Sequence, residues 1–403
     1  MENLETSNKK NIGILLPSMK NGGVFQYALA IINSLTSFSN DFDYCVFHYN
    51  TENPQEFIKN SKNIQFMCLD DAGNSFLSKI KLLLNILLAK PIFTTNKKNK
   101  DLFEKSKIDL FISPIPFFLA FENRIPFIVS VLDMMHKYYP KFPEYSFFQR
   151  LKKDLIFKFS AKHSVLTIVD SKESREDLYK FYNIAKEKVK IIPFLPSEYV
   201  FQYKDMNQES AGKLLDKYDL PPEFIFYPAQ FWVHKNHIRL IKALRLLKQE
   251  KNVNIPLVLV GNPKANEDNY QKVMDLAQGL DVKCLGYVSN EEVVALYKKT
   301  IALVFTSVGG PTNIPLLEAL ILNTPILCPN LFAMPEQVGE AGVLFNPFDI
   351  KDMAEKIYQV WTNKELRKQL VEKGKEKAQS INLENYSQYW EKAIKEAINN
   401  GKH

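Results

Sequence analysis

A lysine in the second half of the chain stands where its side chain could bind an anion. Lys235 occurs in Y-P-A-Q-F-W-V-H-K-N-H, after a short apolar segment and just before a helical segment that starts near Asn236. A cation at a helix N-terminus is unfavourable unless an anion compensates for it. The pattern therefore favours a phosphate bound by Lys235, and the alternative is a surface lysine beside a helix cap.

A glutamate forms the second candidate site. Glu318 is the one charged residue of an apolar helix that Pro315 opens, and the helix follows the loop S-V-G-G-P-T-N-I. Such a helix belongs in an interior, where an unpartnered carboxylate is costly. Pro315 has no side-chain oxygen, so a capping box is excluded. We therefore predict that Glu318 has another partner and that the Gly-rich loop, with its free backbone N–H groups, binds an anion.

Three further segments follow predicted strands. Gly22 and Gly23 lie between a strand and a helix, either as a ligand loop or for tight packing. Tyr287 ends a strand and suits either a well-made turn or a platform for a nucleotide base. Asp133 and His136 could each act as a general base or as the partner of a sugar hydroxyl. The alternative for both is a hydrogen bond that orders the loop.

Strand and helix patterns alternate along the chain, which is typical of parallel sheets covered on both faces. The alternation breaks near I-I-P-F-L-P-S-E-Y and then restarts, and 403 residues are enough for two domains. We predict two doubly wound α/β domains of Rossmann type facing a cleft, residues 1–198 and 199–382. Strands are expected at 12–16, 44–48, 64–69, 108–112, 127–132, 165–169, 224–227, 256–260, 282–285, 301–305 and 325–328.

Composition narrows the function. The net charge of +7 suits an anionic ligand or an anionic membrane surface, but without an Arg-rich arm it does not indicate nucleic acid. The four cysteines are far apart and show no metal-ligand spacing, which predicts reduced core thiols and no metal. The N-terminus is polar and no apolar run reaches about 18 residues. A cytoplasmic protein without a membrane span is therefore expected.

Two basic segments differ from ordinary core. Residues 76–88 are strongly apolar but contain Lys79 and Lys81, and further lysines follow up to position 100. Such a helix could rest on an anionic bilayer, as a peripheral contact at the inner face of a membrane, and the alternative is a core helix with a solvated lysine edge. Residues 147–162 carry basic side chains among aromatic ones and are expected to pack one face and expose the other.

The motifs around Lys235 and Glu318 resemble those of the retaining, GT-B-fold glycosyltransferases of group 1, glycosyltransferase family 4. The resemblance covers nearly the whole chain and is strongest over residues 224–347. It implies transfer of a hexosyl unit from a nucleotide-diphosphate sugar to a hydroxyl of a glycan or lipid-linked glycan, in surface polysaccharide assembly. It also implies retained anomeric configuration and no cofactor or metal.

Family members carry two glutamates eight positions apart in this loop and helix. Glu318 matches the second, which implies that it accepts hydrogen bonds from the donor ribose. The first falls on Gly310, a departure that removes the usual carboxylate contact to the sugar. The backbone N–H groups of Thr312, Asn313 and Ile314 are then expected to serve the sugar or the diphosphate.

The remaining matches concern both domains. Lys235 matches the phosphate-binding lysine, whereas the arginine usual five residues earlier is Gln230. Gly22 and Gly23 match a glycine loop near donor phosphate and acceptor, and Tyr287 matches the turn whose backbone meets the base.

In the first domain, Asp133 and His136 resemble an Asp-x-x-His motif, although Leu132 replaces a histidine often found before the aspartate. The final helix, 383–400, is expected to cross back to the first domain, with Tyr389 and Trp390 packed there.

Two other functions remain open. The departures at Gly310 and Gln230 also suit a catalytically inactive GT-B protein that binds sugar nucleotide within a glycan-assembly complex. An epimerase on the same scaffold would turn over sugar nucleotide without any acceptor.

Overall fold

The computed structural model describes residues 9–18, 23–49, 53–58, 64–70, 76–116, 118–140, 142, 146–310 and 313–401. The chain forms two compact units. Unit 1 comprises Met1–His136, Tyr145–Phe194 and Asn382–His403, and unit 2 comprises Lys137–Glu144 and Leu195–Ile381. The structure thus divides the chain at 194/195, against the predicted 198/199, and adds a short segment of the first half to unit 2.

Unit 1 contains a parallel sheet of seven strands within the described residues, in the order β3-β2-β1-β4-β5-β6-β7. The inner strands are almost continuous apolar runs and are buried, as parallel strands covered on both faces must be. The strands are β1 (Lys10–Leu16), β2 (Phe42–Tyr49), β3 (Ile64–Leu69), β4 (Leu110–Ser113), β5 (Phe127–Ser130), β6 (Leu166–Val169) and β7 (Val189–Ile191).

Helices connect these strands. Ser146 starts one of them with a capping box. Its side chain accepts from the N–H of Gln149, and the Gln149 side-chain oxygen accepts from the N–H of Ser146. The helices are α1 (Gly23–Phe38), α2 (Phe76–Leu88), α3 (Lys97–Ser106), α4 (Leu119–Glu122), α5 (Met135–Tyr138), α6 (Phe147–His163) and α7 (Lys172–Tyr182).

Unit 2 contains a parallel sheet of six described strands in the order β10-β9-β8-β11-β12-β13. Both sheets therefore have the Rossmann strand order, in which the direction of winding reverses between the first and fourth strands of the unit. The predicted doubly wound α/β class is confirmed. The strands are β8 (Ile225–Pro228), β9 (Leu257–Val260), β10 (Val282–Cys284), β11 (Ala302–Val304), β12 (Ile326–Pro329) and β13 (Gly342–Phe345).

The helices of unit 2 cover both faces of its sheet. Ser289 caps one of them in a capping box with Glu292. They are α8 (Glu198–Tyr203), α9 (Gln208–Leu215), α10 (His237–Lys251), α11 (Glu267–Ala277), α12 (Asn290–Lys299), α13 (Ile314–Ile321), α14 (Met334–Val338), α15 (Ile350–Thr362) and α16 (Lys364–Ala378).

The last helix, α17 (Leu383–Asn400), belongs to unit 1, where it packs against α1. Trp390 is fully buried, whereas its neighbour Tyr389 is 42% exposed. Lys395 pairs with Asp41 at 2.6 Å on the same face. Of the two aromatic residues expected to pack here, the described structure therefore buries Trp390 and leaves Tyr389 at the surface.

Three expectations differ from the structure. Strands β7 and β13 were not predicted, because β7 runs into the Pro-containing segment where the alternation breaks and β13 begins at a glycine. Cys68 is exposed rather than in the core, while Cys45 and Cys328 are buried and Cys284 is partly buried. Helix α2 is not a core helix, since Asn85 is its one buried residue among those described.

Candidate functional site

The candidate site of unit 2 lies at the carboxyl ends of β8 and β11. These strands are neighbours, and the winding of the sheet reverses between them, which is where open α/β sheets bind ligands. Lys235 follows β8, and the loop from Phe305 to Asn313 follows β11. The topology thus brings together the two segments that the sequence identified separately.

Lys235 ends a single 3-10 turn just before α10, as its position in the sequence predicted. Its ammonium lies 5.7 Å from the centre of the Phe305 ring, in a cation–π contact. Within the described residues it has no carboxylate within ion-pairing distance. Although part of the side chain reaches solvent, burial lowers the Lys235 pKa to about 8. An anion bound here would restore the charge that the protein environment disfavours.

Hydrogen bonds join the Lys235 turn to the loop after β11. The Lys235 carbonyl accepts from the hydroxyls of Tyr227 at 2.8 Å and Thr306 at 3.0 Å. The N–H of Val308 donates to the His234 carbonyl at 2.8 Å. The position of the lysine relative to this loop is therefore fixed by backbone contacts.

Gly310 adopts φ of +91°, a conformation that residues with a Cβ rarely adopt. Its carbonyl accepts from the Asn313 side-chain amide at 3.1 Å. A glutamate would be strained at this φ. The glycine that replaces the family glutamate therefore permits a loop conformation that a glutamate would disfavour.

One predicted donor is already occupied. The Asn313 N–H, expected to serve a sugar or a diphosphate, donates instead to the Gln337 side-chain oxygen at 3.1 Å. The Ile314 N–H, at the first position of α13, has no acceptor within the described residues and remains available. Gly22 and Thr312, also predicted to bind the donor, lie outside the described residues.

Glu318 is buried, with 4% of its surface exposed, and both of its oxygens have donors. Oε1 accepts from the Tyr199 hydroxyl at 2.7 Å and Oε2 from the Tyr297 hydroxyl at 2.9 Å. Burial raises the Glu318 pKa, and the two hydrogen bonds oppose that rise. The partner that this carboxylate was predicted to need is thus present in the protein, although each oxygen keeps a second lone pair.

Gln230, which replaces the family arginine, orders the neighbouring loop. Its side-chain oxygen accepts from the Asn262 N–H at 2.9 Å, which an arginine could not do. Gly261 is required here, because a Cβ on it would overlap the Ala229 carbonyl oxygen. These contacts hold the loops after β8 and β9 together.

Tyr287 follows β10 and is 85% exposed. It lies close to Tyr199, whose pKa is raised first by burial, then by Glu318, and to a smaller extent by Tyr287. An exposed aromatic ring at the edge of the sheet, near the Glu318 cluster, is a surface on which a planar ligand could stack.

The candidate residues of unit 1 are all paired. Asp133 accepts from the Met135 N–H at 3.1 Å and from the Lys153 ammonium at 2.9 Å, so the loop-ordering hydrogen bond is present. His136 is buried and contacts Asp154 at 2.9 Å, and burial lowers the His136 pKa. Gly23 begins α1, and a Cβ there would meet open space, so the packing explanation for this glycine has no support.

Sequence reasoning missed Tyr199, Tyr297 and Gln337. The apolar helix around Glu318 signalled that hydrogen-bond donors must exist, but Tyr199 is 119 residues away in the chain. Gln337 showed no signal, since its partner is a backbone N–H in a distant loop.

The described residues contain neither a metal site nor a helix that could span a membrane. No group of three His, Cys, Asp or Glu side chains there is arranged to bind a metal ion. Among those same residues, every helix is too short or too polar to cross a bilayer.

Residues 216–377 match the family described as glycosyl transferases group 1. The serotype-specific mannosyltransferase WbdA of Escherichia coli is 28% identical over 228 residues, which are 55% of this chain and 27% of WbdA. The O-antigen chain mannosyltransferase B of Escherichia coli is 25% identical over 238 residues, 58% of this chain and 61% of that protein. The chain thus spans about a quarter of one relative and three fifths of the other.

Solved structures share the fold of the whole chain. The Anabaena protein Alr3699/HepE, crystallised with UDP and glucose, superposes with a TM-score of 0.72. The match covers 96% of this chain and 99% of that chain at 15% identity. The two units therefore have the GT-B glycosyltransferase fold.

Proposed function

Because residues 216–377 match the family described as glycosyl transferases group 1, we propose that the chain is a hexosyltransferase that uses a nucleotide-diphosphate sugar. The observation that carries this proposal is the Lys235 ammonium, which has no anionic partner within the described residues and lies over the Phe305 ring, while its backbone carbonyl is bonded to Thr306 in the loop after β11. The cation and the free N–H of Ile314 are a suitable pair of donors for a diphosphate.

The proposed reaction retains the anomeric configuration. The bond between the sugar C1 and the diphosphate oxygen breaks, and the acceptor hydroxyl oxygen bonds to C1 on the same face. The hydroxyl proton passes to the leaving phosphate oxygen, so no separate protein base is required. Lys235 stabilises the charge that develops on the diphosphate, which is usually the dominant contribution to catalysis.

The matched roles of the other residues remain proposals. Glu318 would accept from the donor ribose with its remaining lone pairs, and Tyr287 would contact the base. Gln230 keeps its side-chain NH₂ group as a donor for the diphosphate, since its oxygen is already used. Gly23, Asp133 and His136 would serve the acceptor side, and no metal ion or cofactor takes part.

The relatives support the choice of substrates. Two are named mannosyltransferases, one of them of the O-antigen chain, and the Anabaena protein was crystallised with UDP and glucose. We propose a hexosyl donor and a glycan or lipid-linked glycan acceptor in surface polysaccharide assembly. The protein would work in the cytoplasm, in peripheral contact with the inner face of an anionic membrane.

Calorimetry and nucleotide release test the proposal. The protein is titrated with mannosyl and glucosyl nucleotides, and nucleoside diphosphate release is then measured with a panel of glycan acceptors. We expect one donor to bind and to be consumed only when an acceptor is present. A protein that binds no sugar nucleotide contradicts the proposal, and consumption without an acceptor would instead indicate an epimerase or a hydrolase.

One observation favours a second candidate function. Gly310 lacks the family carboxylate, and Glu318 already accepts from two tyrosine hydroxyls. Both features suit a protein that binds sugar nucleotide without transferring the sugar, as a partner in a glycan-assembly complex. Donor binding without nucleotide release in any acceptor mixture would support this function over transfer.

A further inference from the structure

The positive charge of the chain is concentrated in two segments of unit 1. Residues 76–100 and 147–162 together contain eleven Lys or Arg and one Asp, a net charge of +10 against +7 for the whole protein. The remainder of the chain is therefore net acidic. Three of these lysines pair with carboxylates outside the two segments, at Asp70, Glu104 and Asp133. Since like charges repel, the remaining excess is unfavourable in the folded protein unless an anionic partner compensates for it.

The same two segments expose most of the large apolar side chains at the surface. Of the 19 large apolar residues exposed among the described ones, 12 lie between positions 77 and 93 or 147 and 155. Leu77, Leu87, Phe147 and Phe148 are each at least 65% exposed. An apolar patch with a basic surround is typical of an interaction site rather than of a solvated surface.

A groove separates the two helices that carry this patch. It has a volume of about 680 Å³, and the leucine and isoleucine side chains of α2 and α6 line its walls. Lys79 on α2 and Lys152 on α6 also line it and are both exposed. The groove thus has largely apolar walls, each of which carries a cation, and its volume is that of a ligand site.

The floor of the groove is polar and already ordered. Asp70 follows β3, and the side-chain amides of Asn96 and Asn99 donate to its carbonyl at 3.3 and 3.1 Å. Glu122 accepts from the Thr95 hydroxyl at 2.8 Å. Tyr49 and Asp70 lie at the carboxyl ends of β2 and β3, the edge of the sheet where the loops before α1 and α5 also lie.

We propose that α2 and the first half of α6 form one membrane-docking face, which binds an anionic bilayer and takes one lipid hydrocarbon chain into the groove. The exposed leucines and phenylalanines enter the headgroup and acyl boundary, while the lysines contact anionic headgroups. This proposal depends on the proposed function in one respect, namely that the acceptor is lipid-linked. A lipid held in this groove has its polar end at the sheet edge that carries Asp133.

Vesicle flotation tests the face without using catalysis. Wild type is expected to float with vesicles of phosphatidylcholine and phosphatidylglycerol, to bind pure phosphatidylcholine far less, and to lose binding as salt is raised. Lys79→Glu with Lys152→Glu should weaken flotation by about tenfold or more, since each basic residue near such a surface contributes substantially. The matched control is Lys242→Glu with Lys272→Glu, two exposed lysines of unit 2 without ion pairs among the described residues.

Insertion of the apolar side chains into the bilayer can be measured separately, by tryptophan fluorescence. Phe148→Trp places an indole on the groove, and its fluorescence should be quenched by phospholipid brominated on the acyl chain more than the three native tryptophans are. Leu77→Ser with Leu87→Ser should abolish flotation, and an unchanged circular dichroism melt would show that folding is intact.

Equal binding to neutral and anionic vesicles, or wild-type flotation of the Lys79/Lys152 variant, overturns the proposal. So does a dimer in solution that the Leu77/Leu87 variant converts to monomer, because the face would then bind a second copy. Because flotation needs no donor or acceptor, a protein that floats as expected but transfers no sugar contradicts the proposed function and leaves the docking face standing.

Discussion

The strand edges of the two units differ in how their charged side chains are satisfied. In unit 1, Asp133 pairs with Lys153 and His136 with Asp154, each at 2.9 Å. In unit 2, the described residues offer Lys235 no carboxylate, and its pKa is lowered to about 8 by burial. Side chains that bond to each other stabilise the loop that holds them, whereas a partly desolvated cation without a carboxylate partner gains most when an anion binds. The difference supports the proposal that unit 2 binds the anion.

The largest expected effect comes from removing the unpaired cation. Lys235→Ala should lower turnover at least tenfold and up to about a hundredfold, roughly 1.4 to 2.7 kcal/mol, because charge on the leaving diphosphate is no longer stabilised. Steady-state kinetics with the best donor measure it. Lys242→Ala, at an exposed lysine on helix α10, which follows the Lys235 turn, is the control and should behave as wild type. Unchanged kinetics of Lys235→Ala would remove the distinction between the two edges.

Removing a hydrogen-bond donor of the buried Glu318 carboxylate should lower the stability of the protein. Tyr297→Phe leaves Glu318 Oε2 without its donor, which should lower the free energy of unfolding by about 2 kcal/mol. Urea denaturation measures the change, and Tyr287→Phe, at an 85% exposed side chain, should show almost none. In a Glu318→Gln background the Tyr297→Phe effect should shrink, since an amide oxygen is less costly to leave unpaired than a carboxylate. Equal losses in both backgrounds would mean that the hydroxyl acts elsewhere. Glu318→Ala should also reduce turnover at least about tenfold.

The lowered Lys235 pKa predicts the pH dependence of donor binding. The ammonium is charged below about pH 8 and loses its proton above it. Nucleoside diphosphate binding should therefore weaken as pH rises past 8, by up to about tenfold per pH unit, until the higher pKa of the complex is reached. Calorimetry from pH 7 to 9.5 measures this, and Lys235→Met should bind weakly with a flat profile.

The lowered Lys235 pKa affects folding stability and anion binding in opposite directions as pH rises. Between about pH 8 and the usual lysine pKa near 10.4, the unfolded chain retains a proton that folded Lys235 has lost, so this residue adds stability as pH rises. Comparing wild type with Lys235→Met in urea at each pH isolates this contribution. A wild-type stability that falls relative to the variant across this range would contradict a lowered pKa.

Restoring the family glutamate should not restore a typical site. Gly310 has φ of +91°, so Gly310→Glu should cost about 1 kcal/mol of stability and should not raise turnover. Gly310→Asn is the control, because asparagine tolerates positive φ better. Turnover above wild type with any donor would show that the loop adopts the family conformation after all.

The smallest effect is expected at the paired edge of unit 1. Asp133→Asn keeps an acceptor for the Met135 N–H but loses the ion pair with Lys153, whose partners are partly exposed, at a cost below about 1 kcal/mol. We expect turnover to fall less than in Lys235→Ala. A loss as large as that of Lys235→Ala would make Asp133 a residue that touches the substrate and would reverse the comparison.

The sequence predicted both sheets because buried parallel strands are nearly continuous apolar runs, which are visible without a partner. It missed β7, which runs into the Pro-containing segment where the alternation breaks, and β13, which begins at a glycine. Helix starts were predictable where a local cap defines them, as Ser289 does with Glu292. Local chemistry is thus readable from local sequence.

Hydrogen bonds between residues far apart in the chain could not be predicted from the sequence. Tyr199 and Tyr297 lie 119 and 21 residues from Glu318, and neither has a spacing that signals its role. The Asn313 N–H was predicted to be free because its acceptor, Gln337, comes from another helix. The same limit applies to the surroundings of α2. An apolar helix with lysines has the same sequence pattern whether its leucines are covered by a protein core or by a membrane.

Helix α17 imposes an order on the biosynthesis of this protein. It follows unit 2 in the chain, yet its Trp390 is fully buried against unit 1, and Lys190 of unit 1 pairs with its Glu396 at 2.8 Å. Residues 195–381 are contiguous and can fold as soon as they leave the ribosome. Unit 1, although synthesised first, keeps an uncovered apolar surface on α1 until translation has passed through unit 2. The first half of the chain therefore completes its apolar core only after α17 has been synthesised.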